Sequence, residues 1–392
     1  MRVLVIGQLP KEVGGNYTTG AANVVYELSK ANKREGYHTF ATNISEKAAQ
    51  ISSEYKNQYI GYSYRPLSLI MRMLLHPLRF FRNIRHYKKV DHQNWLRYYF
   101  YEDNIYKAIQ RVSPEIIHCH SVFNLSPTRF ALGGENIPII VTCHGISYKG
   151  DQKDEPIHQM YQGNLPLADY YTGSTKETAW EYEHYLGIPQ KDVLIIPNGI
   201  DYRVIHFDEG SRNELRKEYG VKDNQIVFLT IASVQERKGQ VRFLHFLKNL
   251  QLDYQFWIIG DGPDMPKVKQ FINENEMENT VKLIGYVNGN LLYKYYSAAD
   301  VYAHTSTNEG QALVEIGANA TGLKCLVSNE IKNTVSGDIS SDSYFVLDFH
   351  NPDYESITMW LKNNYRSQGT IQDWSEIAER YNEFYSKILN TK

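Results

Sequence analysis

At 392 residues the chain is too long for one ordinary core, and two domains of roughly 150 to 200 residues each are expected. Its formal charge of −2 excludes a global basic field, so no nucleic acid is expected as a partner and any positive patch must be local. The three cysteines, Cys119, Cys143 and Cys325, stand far apart with no CxxC pair, which argues against a disulfide framework or a zinc knuckle and fits a reducing cytoplasm.

The chain opens on "RVLVIG", a buried strand, with no signal peptide before it and no apolar span of about 18 residues after it. Neither secretion by that route nor a membrane-spanning helix is therefore expected. Next comes "GAANVVYELSKANKREG", an amphipathic helix ended by Gly36, and then the β-branched runs "PEIIHCHS" and "IPIIVTCHG". The second half repeats this grammar. "NQIVFLTIAS", "YQFWIIGDG", "TVKLIGYV", "DVYAHTS" and "LKCLVSN" read as strands, with "QVRFLHFLKNLQ", "DMPKVKQFINENE" and "GNLLYKYYSAA" as helices between them. Continuous apolar strands separated by helices mean parallel sheets covered on both faces, so the expected fold is α/β with two Rossmann-like doubly wound domains. The joint is placed in "IIPNGIDYRVIHF", residues 195–207, giving domains 1–200 and 201–372. The last segment, residues 373–392, has Trp374, Tyr381, Tyr385 and Leu389 near helical spacing and is expected to pack back on the N-terminal domain.

In open parallel sheets ligands bind outside the carboxyl ends of the strands, so the residues just after strands deserve the closest reading. In the second half these are "IASVQERKG", "GDGP", "GYV" and "HTSTNEGQALVEIGANATG". Lys238 offers a cation, and the Gly310 turn, read as opening a helix, offers backbone N–H groups at the positive end of the helix dipole. Together they suit a diphosphate without a metal, and no two aspartates stand in D-x-D spacing to clamp a divalent ion. Asp261 in "GDGP" is read as a turn residue. His118 and His120 share a strand face and raise a metal as an alternative, but without a third ligand at a known spacing they are read as packing or cleft lining.

The order "NGID", Lys-Gly after a strand, "GDGP", "GYV", "AAD", "EG" and "GLKCLVSN" resembles the retaining GT-B glycosyltransferases of family 4, and within it the bacterial enzymes of exopolysaccharide, capsule and lipopolysaccharide synthesis. The resemblance is tight from about residue 195 to 335 and looser before it. It implies two domains facing across a cleft, the N-terminal one binding the acceptor and the C-terminal one the nucleotide sugar, with no cofactor and no metal. It assigns Glu309, Lys238 and His144 to catalysis, His144 and Glu309 against the donor sugar. Ser233, Arg237, Lys238, Glu309, Gly310, Gln311 and Ala312 would contact the donor. Gly20 would lie near its phosphates, with Gly14 and Gly15 as rivals because the loop "KEVGGNYTT" is lengthened.

Two departures accompany the resemblance. The family places a second glutamate, which holds the nucleotide ribose, eight residues after the first; here that position is Gly317. Glu315 comes two positions early, about 200° away around a regular helix, and is expected at the surface or behind the site. Where many relatives have an arginine this chain has Ser233, which leaves more of the phosphate charge to Lys238 and Arg237.

The implied function is a metal-independent retaining hexosyltransferase moving sugar from a nucleotide sugar, expected to be a UDP-sugar, to a glycan or polyprenyl-diphosphate-linked acceptor. A non-catalytic GT-B partner subunit is the alternative that the two departures favour, and a sugar-nucleotide epimerase is a third. Residues 65–89 carry Arg65, Arg72, Arg79, Arg82, Arg85, Lys88 and Lys89 and no acid, interleaved with Leu, Ile, Met and Phe. This suits an amphipathic helix pair on an anionic membrane surface, with Pro77 opening its second half; a cationic helix packed on the sheet is the other reading. The expected location is the cytoplasm, peripheral at the inner face of the cell membrane.

Overall fold

The computed structural model describes residues 1–15, 19–32, 35–49, 59–145, 156–362, 366 and 371–391. Residues 16–18 of the lengthened glycine loop lie outside that set. The chain divides into two compact units, one comprising Met1–Pro197 with Trp374–Lys392, the other Asn198–Asp373.

The first unit is built on seven strands, β1 (Val3–Gly7), β2 (Tyr37–Ser45), β3 (Tyr59–Tyr62), β4 (Ile116–Cys119), β5 (Ile139–Cys143), β6 (Tyr170–Gly173) and β7 (Val193–Ile195). Their order is β3-β2-β1-β4-β5-β6-β7, and every pair is parallel. The second unit has β8 (Ile226–Ile231), β9 (Tyr254–Ile259), β10 (Val281–Gly285), β11 (Val301–His304), β12 (Lys324–Ser328) and β13 (Tyr344–Leu347). These run in the order β10-β9-β8-β11-β12-β13, again all parallel. Each sheet therefore reverses its winding beside its first strand, between β1 and β4 and between β8 and β11. The carboxyl ends there are where an open α/β sheet forms its binding crevice.

Strands buried on both faces explain the sequence pattern. Leu4, Val5 and Ile6 of β1 and Val227, Phe228 and Leu229 of β8 are fully buried, each such side chain contributing about 1.5–3 kcal/mol of transfer free energy. The strands that apolar runs do not reveal are those with polar interiors. In β2, Thr39 shares a hydrogen bond with Ser29 at 2.7 Å, and Asn43 clamps the backbone of Leu9 by both its amide atoms at 2.9 and 2.7 Å. In β6, Thr172 bonds to Thr142 of β5.

The final helix, Trp374–Asn390, belongs to the first unit. It buries Trp374, Ile377, Ala378, Tyr381, Tyr385 and Ile388 along one stripe, so Ile388 rather than Leu389 ends the apolar face. Asn382 accepts from Asn32 at 3.0 Å, and Tyr385 bonds His118 Nδ1 at 2.7 Å. Among the described residues no helix is long and apolar enough to cross a membrane.

Candidate active site

In the second unit, the loops after β8 and β11 are stitched together by main-chain and side-chain bonds. Thr307 N donates to Arg237 O at 2.8 Å, Thr305 Oγ1 donates to Lys238 O at 2.8 Å, and Arg242 Nε donates to Thr305 O at 2.9 Å. Only glycine fits between them at position 239. Its φ is +73°, and a Cβ there would lie 2.2 Å from the Thr305 carbonyl oxygen. The stitching places Lys238 against Glu309. The ammonium and the carboxylate are directly paired, Arg237 lies 3.6 Å from the same oxygen, and His304 Nε2 lies 3.8 Å from it. Lys238 and Glu309 are both mostly buried, while Arg237 is half exposed.

Burial opposes the charge on both partners. Desolvation raises the Glu309 carboxyl, but His304 and Lys238 more than offset it and hold it well below the usual carboxylate range. Desolvation lowers the Lys238 ammonium, with Glu309 opposing the shift. At neutral pH the pair is charged, a carboxylate and a cation together at the carboxyl ends of β8 and β11.

The other expected donor contacts are distributed differently. Ser233 is exposed, its Oγ accepting from Gln235 at 2.8 Å and its carbonyl from Gln240 at 3.2 Å. Gly310 and Gln311 precede the helix rather than open it. The helix runs Leu313–Ala320 with Ala312 as an N-cap that no side chain caps. Gln311, just before it, is held by Asn198: its Oε1 accepts from Asn198 N at 2.7 Å and its carbonyl from Asn198 Nδ2 at 3.3 Å. The first-turn amides are therefore those of Leu313 and Val314.

Glu315 is not at the surface. It is fully buried, accepting from Ser336 N and Ser336 Oγ, each at 3.0 Å, and from the Tyr344 hydroxyl. Glu309 precedes this helix, and Glu315, about 200° around it from position 317, is packed against β13 and the segment before it. Desolvation raises its carboxyl, with Tyr344 first among the groups opposing the rise. A Cβ on Gly317 would lie 2.9 Å from the Tyr296 hydroxyl. The direction that a side chain at 317 would take is thus filled by a buried tyrosine ring.

In the first unit a cavity of about 360 Å³ opens at the carboxyl ends of the central strands. Among its lining residues are Thr42, Arg97, Tyr101, His120, Phe123 and His144. His144 follows β5, and its Nε2 lies 3.0 Å from Nδ1 of His120, which follows β4. His120 packs on His118 with ring centroids 4.2 Å apart, and His118 Nε2 bonds Thr142 Oγ1 at 2.7 Å. Burial keeps all three rings neutral at physiological pH, lowering His144 to about 4, His118 to about 3 and His120 well below its usual value. His120 Nε2 is buried without a hydrogen-bond partner among the described residues. A row of neutral imidazoles can donate to and accept from hydroxyl groups, as a carbohydrate requires. Among the described residues no cluster of three or more His, Cys, Asp or Glu is placed to hold a metal ion.

Gly20 opens the helix Gly20–Ala31, whose cap is Thr19 Oγ1 accepting from Ala22 N at 3.2 Å. A Cβ on Gly20 would meet nothing within 4 Å, whereas one on Gly15 would lie 1.9 Å from the Leu9 carbonyl oxygen. Gly15 is therefore required by local packing, and Gly14 turns with φ +90°. His118 and His120 are packing and cavity-lining residues, as their shared strand face suggests, whereas His304, which ends a strand in "DVYAHTS", is not singled out by the sequence.

Residues 18–204 match the family described as Glycosyltransferase Family 4, and residues 211–363 match Glycosyl transferases group 1. Among curated relatives, the chain is 22% identical over 316 residues to the alpha-monoglucosyldiacylglycerol synthase of Acholeplasma laidlawii, covering 73% of this chain and 76% of that protein. It is 28% identical over 242 residues to the Escherichia coli UDP-Gal:alpha-D-GlcNAc-diphosphoundecaprenol alpha-1,3-galactosyltransferase, covering 58% of this chain and 60% of that one. It is 22% identical to the putative glycosyltransferase EpsF of Bacillus subtilis (strain 168), covering 86% of each. In fold it is similar to Anabaena HepE in complex with UDP, with a TM-score of 0.75, 15% identity and coverage of 99% of this chain and 100% of that one. Sucrose-phosphate synthase of Thermosynechococcus elongatus gives a TM-score of 0.77 at 15% identity, with each chain wholly covered. With two doubly wound parallel-sheet domains of the GT-B kind and both halves matched, the chain belongs to the family 4 glycosyltransferases.

Proposed function

We propose that this glycosyltransferase moves a hexose from a UDP-sugar, with retention of anomeric configuration and without a metal, to a glycan or polyprenyl-diphosphate-linked acceptor in surface-polysaccharide synthesis. The single observation that carries the reading is the Lys238–Glu309 pair, with Arg237 and His304 around it, at the carboxyl ends of β8 and β11. The choice of UDP is supported by HepE, which has been crystallised with UDP and with UDP-glucose. The acceptor class is supported by the diphosphoundecaprenol acceptor in the name of the E. coli relative.

In this mechanism the bond from the sugar's anomeric carbon to the β-phosphate oxygen breaks and its electron pair leaves with the nucleoside diphosphate. Lys238, Arg237 and the amides from Gly310 through Val314 stabilise the departing charge, while Glu309 and His144 orient the hydroxyls of the cationic sugar. The acceptor oxygen bonds the anomeric carbon on the face the phosphate leaves, and its proton passes to the departing phosphate oxygen. Ser233 and Gln311 are assigned to the donor side, and Gly20 to the approach of the phosphates. The leaving diphosphate competes with Glu309 for Lys238, which frees the carboxylate for the sugar. The test incubates the purified chain with UDP-, GDP- and ADP-sugars, a lipid-diphosphate acceptor and a chelator. UDP release with an α-linked product from an α-linked donor is expected; an inverted product, or activity lost on chelation, refutes the mechanism.

A further inference from the structure

The helix Pro66–Leu75 is turned inside out. It is fastened to the first unit by polar groups: Ser68 Oγ donates to Asp103 at 3.2 Å, Arg72 donates to Glu102 at 3.0 Å, and the Tyr99 hydroxyl donates to the Leu69 carbonyl at 2.9 Å. Glu102 and Asp103 are almost wholly buried beneath it. Glu102 also accepts from Tyr87 at 2.7 Å and from Asn83 at 3.1 Å, and Arg72 Nη1 lies 3.6 Å from Asp103, so the anchor is a buried charged network. Leu69 packs inward and Met73 is partly covered, but the other apolar residues face outward: Leu67, Ile70, Met71, Leu74 and Leu75 are all exposed, and no residue of this helix is fully buried. In water this orientation is the reverse of the favourable one.

The next helix, Pro77–Val90, continues the surface. Leu78, the most exposed of these residues at 87%, and Phe81 begin a stripe that Arg82, Arg85, Lys88 and Lys89 complete at helical spacing. Along the chain the exposed residues of the helix pair therefore grade from apolar around His76 to cationic over the two to three helical turns that follow. No Asp or Glu occurs between Arg65 and Val90 to interrupt it.

We infer that the hairpin Pro66–Val90 docks on a lipid bilayer with anionic headgroups, its leucines and phenylalanine entering the interface while the basic stripe lies on the headgroups. The graded order fits this occupant, since the acyl boundary takes apolar side chains and the phosphates a few ångströms outward take cations. A second copy fits poorly, because a two-fold contact through this face would bury Arg82, Arg85, Lys88 and Lys89 against a surface that carries no carboxylate to pair them.

The full chain is to be sedimented with phosphatidylcholine vesicles with and without phosphatidylglycerol, at low and high salt, with light scattering in parallel. Binding to the anionic vesicles that weakens with salt is expected. Leu74→Glu with Leu78→Glu should abolish it, Arg85→Gln with Lys88→Gln should weaken it about 25-fold at roughly fivefold per cation, and Met359→Glu, an exposed apolar site in the second unit, should leave it unchanged. Circular dichroism checks that each variant is folded. Absence of binding by the wild type at low salt overturns the proposal, as does retained binding by the folded leucine variant. Self-association that the leucine variant abolishes would assign the face to a second copy and also overturn it. Vesicle binding is read without turnover, so its failure leaves the proposed reaction untouched.

Discussion

Glu309 keeps its charge because contacts with His304 and Lys238 outweigh the cost of its burial, and the same contacts set its vulnerability. Lys238→Ala leaves a mostly buried carboxylate with Arg237 and His304 alone for compensation, and removes the cation assigned to the leaving phosphate. Transfer should fall about 10²–10³-fold, the cost of one preorganised group at a developing charge. Glu309→Gln keeps the shape and loses the carboxylate, and a comparable loss is expected. If either purified, folded variant turns over within tenfold of the wild type, the assigned role is wrong. Gly317 presents the opposite case, a missing side chain. Restoring the family's glutamate by Gly317→Glu would drive a Cβ into contact with buried Tyr296, whose hydroxyl donates to Val314 O at 2.8 Å. Overpacking of this kind costs about 1–3 kcal/mol, so Gly317→Glu should lower the melting temperature and leave turnover no higher. Raised activity would show that the tyrosine yields and the position still faces the ribose.

At the scale of elements, the final helix completes the first unit. Tyr385 bonds His118, Asn382 accepts from Asn32, and Arg380 donates to the Ile195 carbonyl at 3.0 Å. Tyr385→Phe keeps the ring packing and strands the buried Nδ1 of His118, which costs about 1–3 kcal/mol. Chemical denaturation should show that loss with an unchanged slope, and a change within a few tenths of a kcal/mol would mean that His118 finds another partner. The helix itself was legible in the spacing of Trp374, Tyr381 and Tyr385, since one buried stripe repeats every 3.6 residues. Strand β2 was not, because "YHTFATNIS" buries Thr39, Thr42 and Asn43 in hydrogen bonds that only the folded chain supplies. The site shows the same division. Lys238 and Glu309 could be picked out in order along the chain, but their pairing depends on the stitching of two loops separated by 71 positions. The helix starts at Leu313, and Gln311 before it is engaged by Asn198, a contact 113 positions apart that no local spacing reveals.

At the scale of the whole molecule, the two units carry titrating groups of opposite character, and acid should separate them. In the first unit His118, His120 and His144 are neutral and buried, with values lowered to about 3 for His118 and about 4 for His144. A group whose folded value is depressed below its unfolded one leaves the unfolded state binding more protons as pH falls. Stability is then fully present above the unfolded value of about 6.5 and is lost from there down through the folded value. His144 alone would remove on the order of 3 kcal/mol by pH 4. In the second unit Glu309 is likewise depressed, but from the carboxylate range, so its contribution persists until pH falls below about 4.5. Calorimetry should therefore show one transition moving down between about pH 6.5 and 4 while a second holds. His120→Gln should flatten the first trend by up to about 1.4 kcal/mol per pH unit, one proton's worth. UDP, assigned to the second unit, should raise the second transition, because a ligand that binds only the folded state stabilises it by mass action. Two transitions falling together from pH 6.5, or a first trend unmoved by His120→Gln, would show that the histidine row does not govern acid stability.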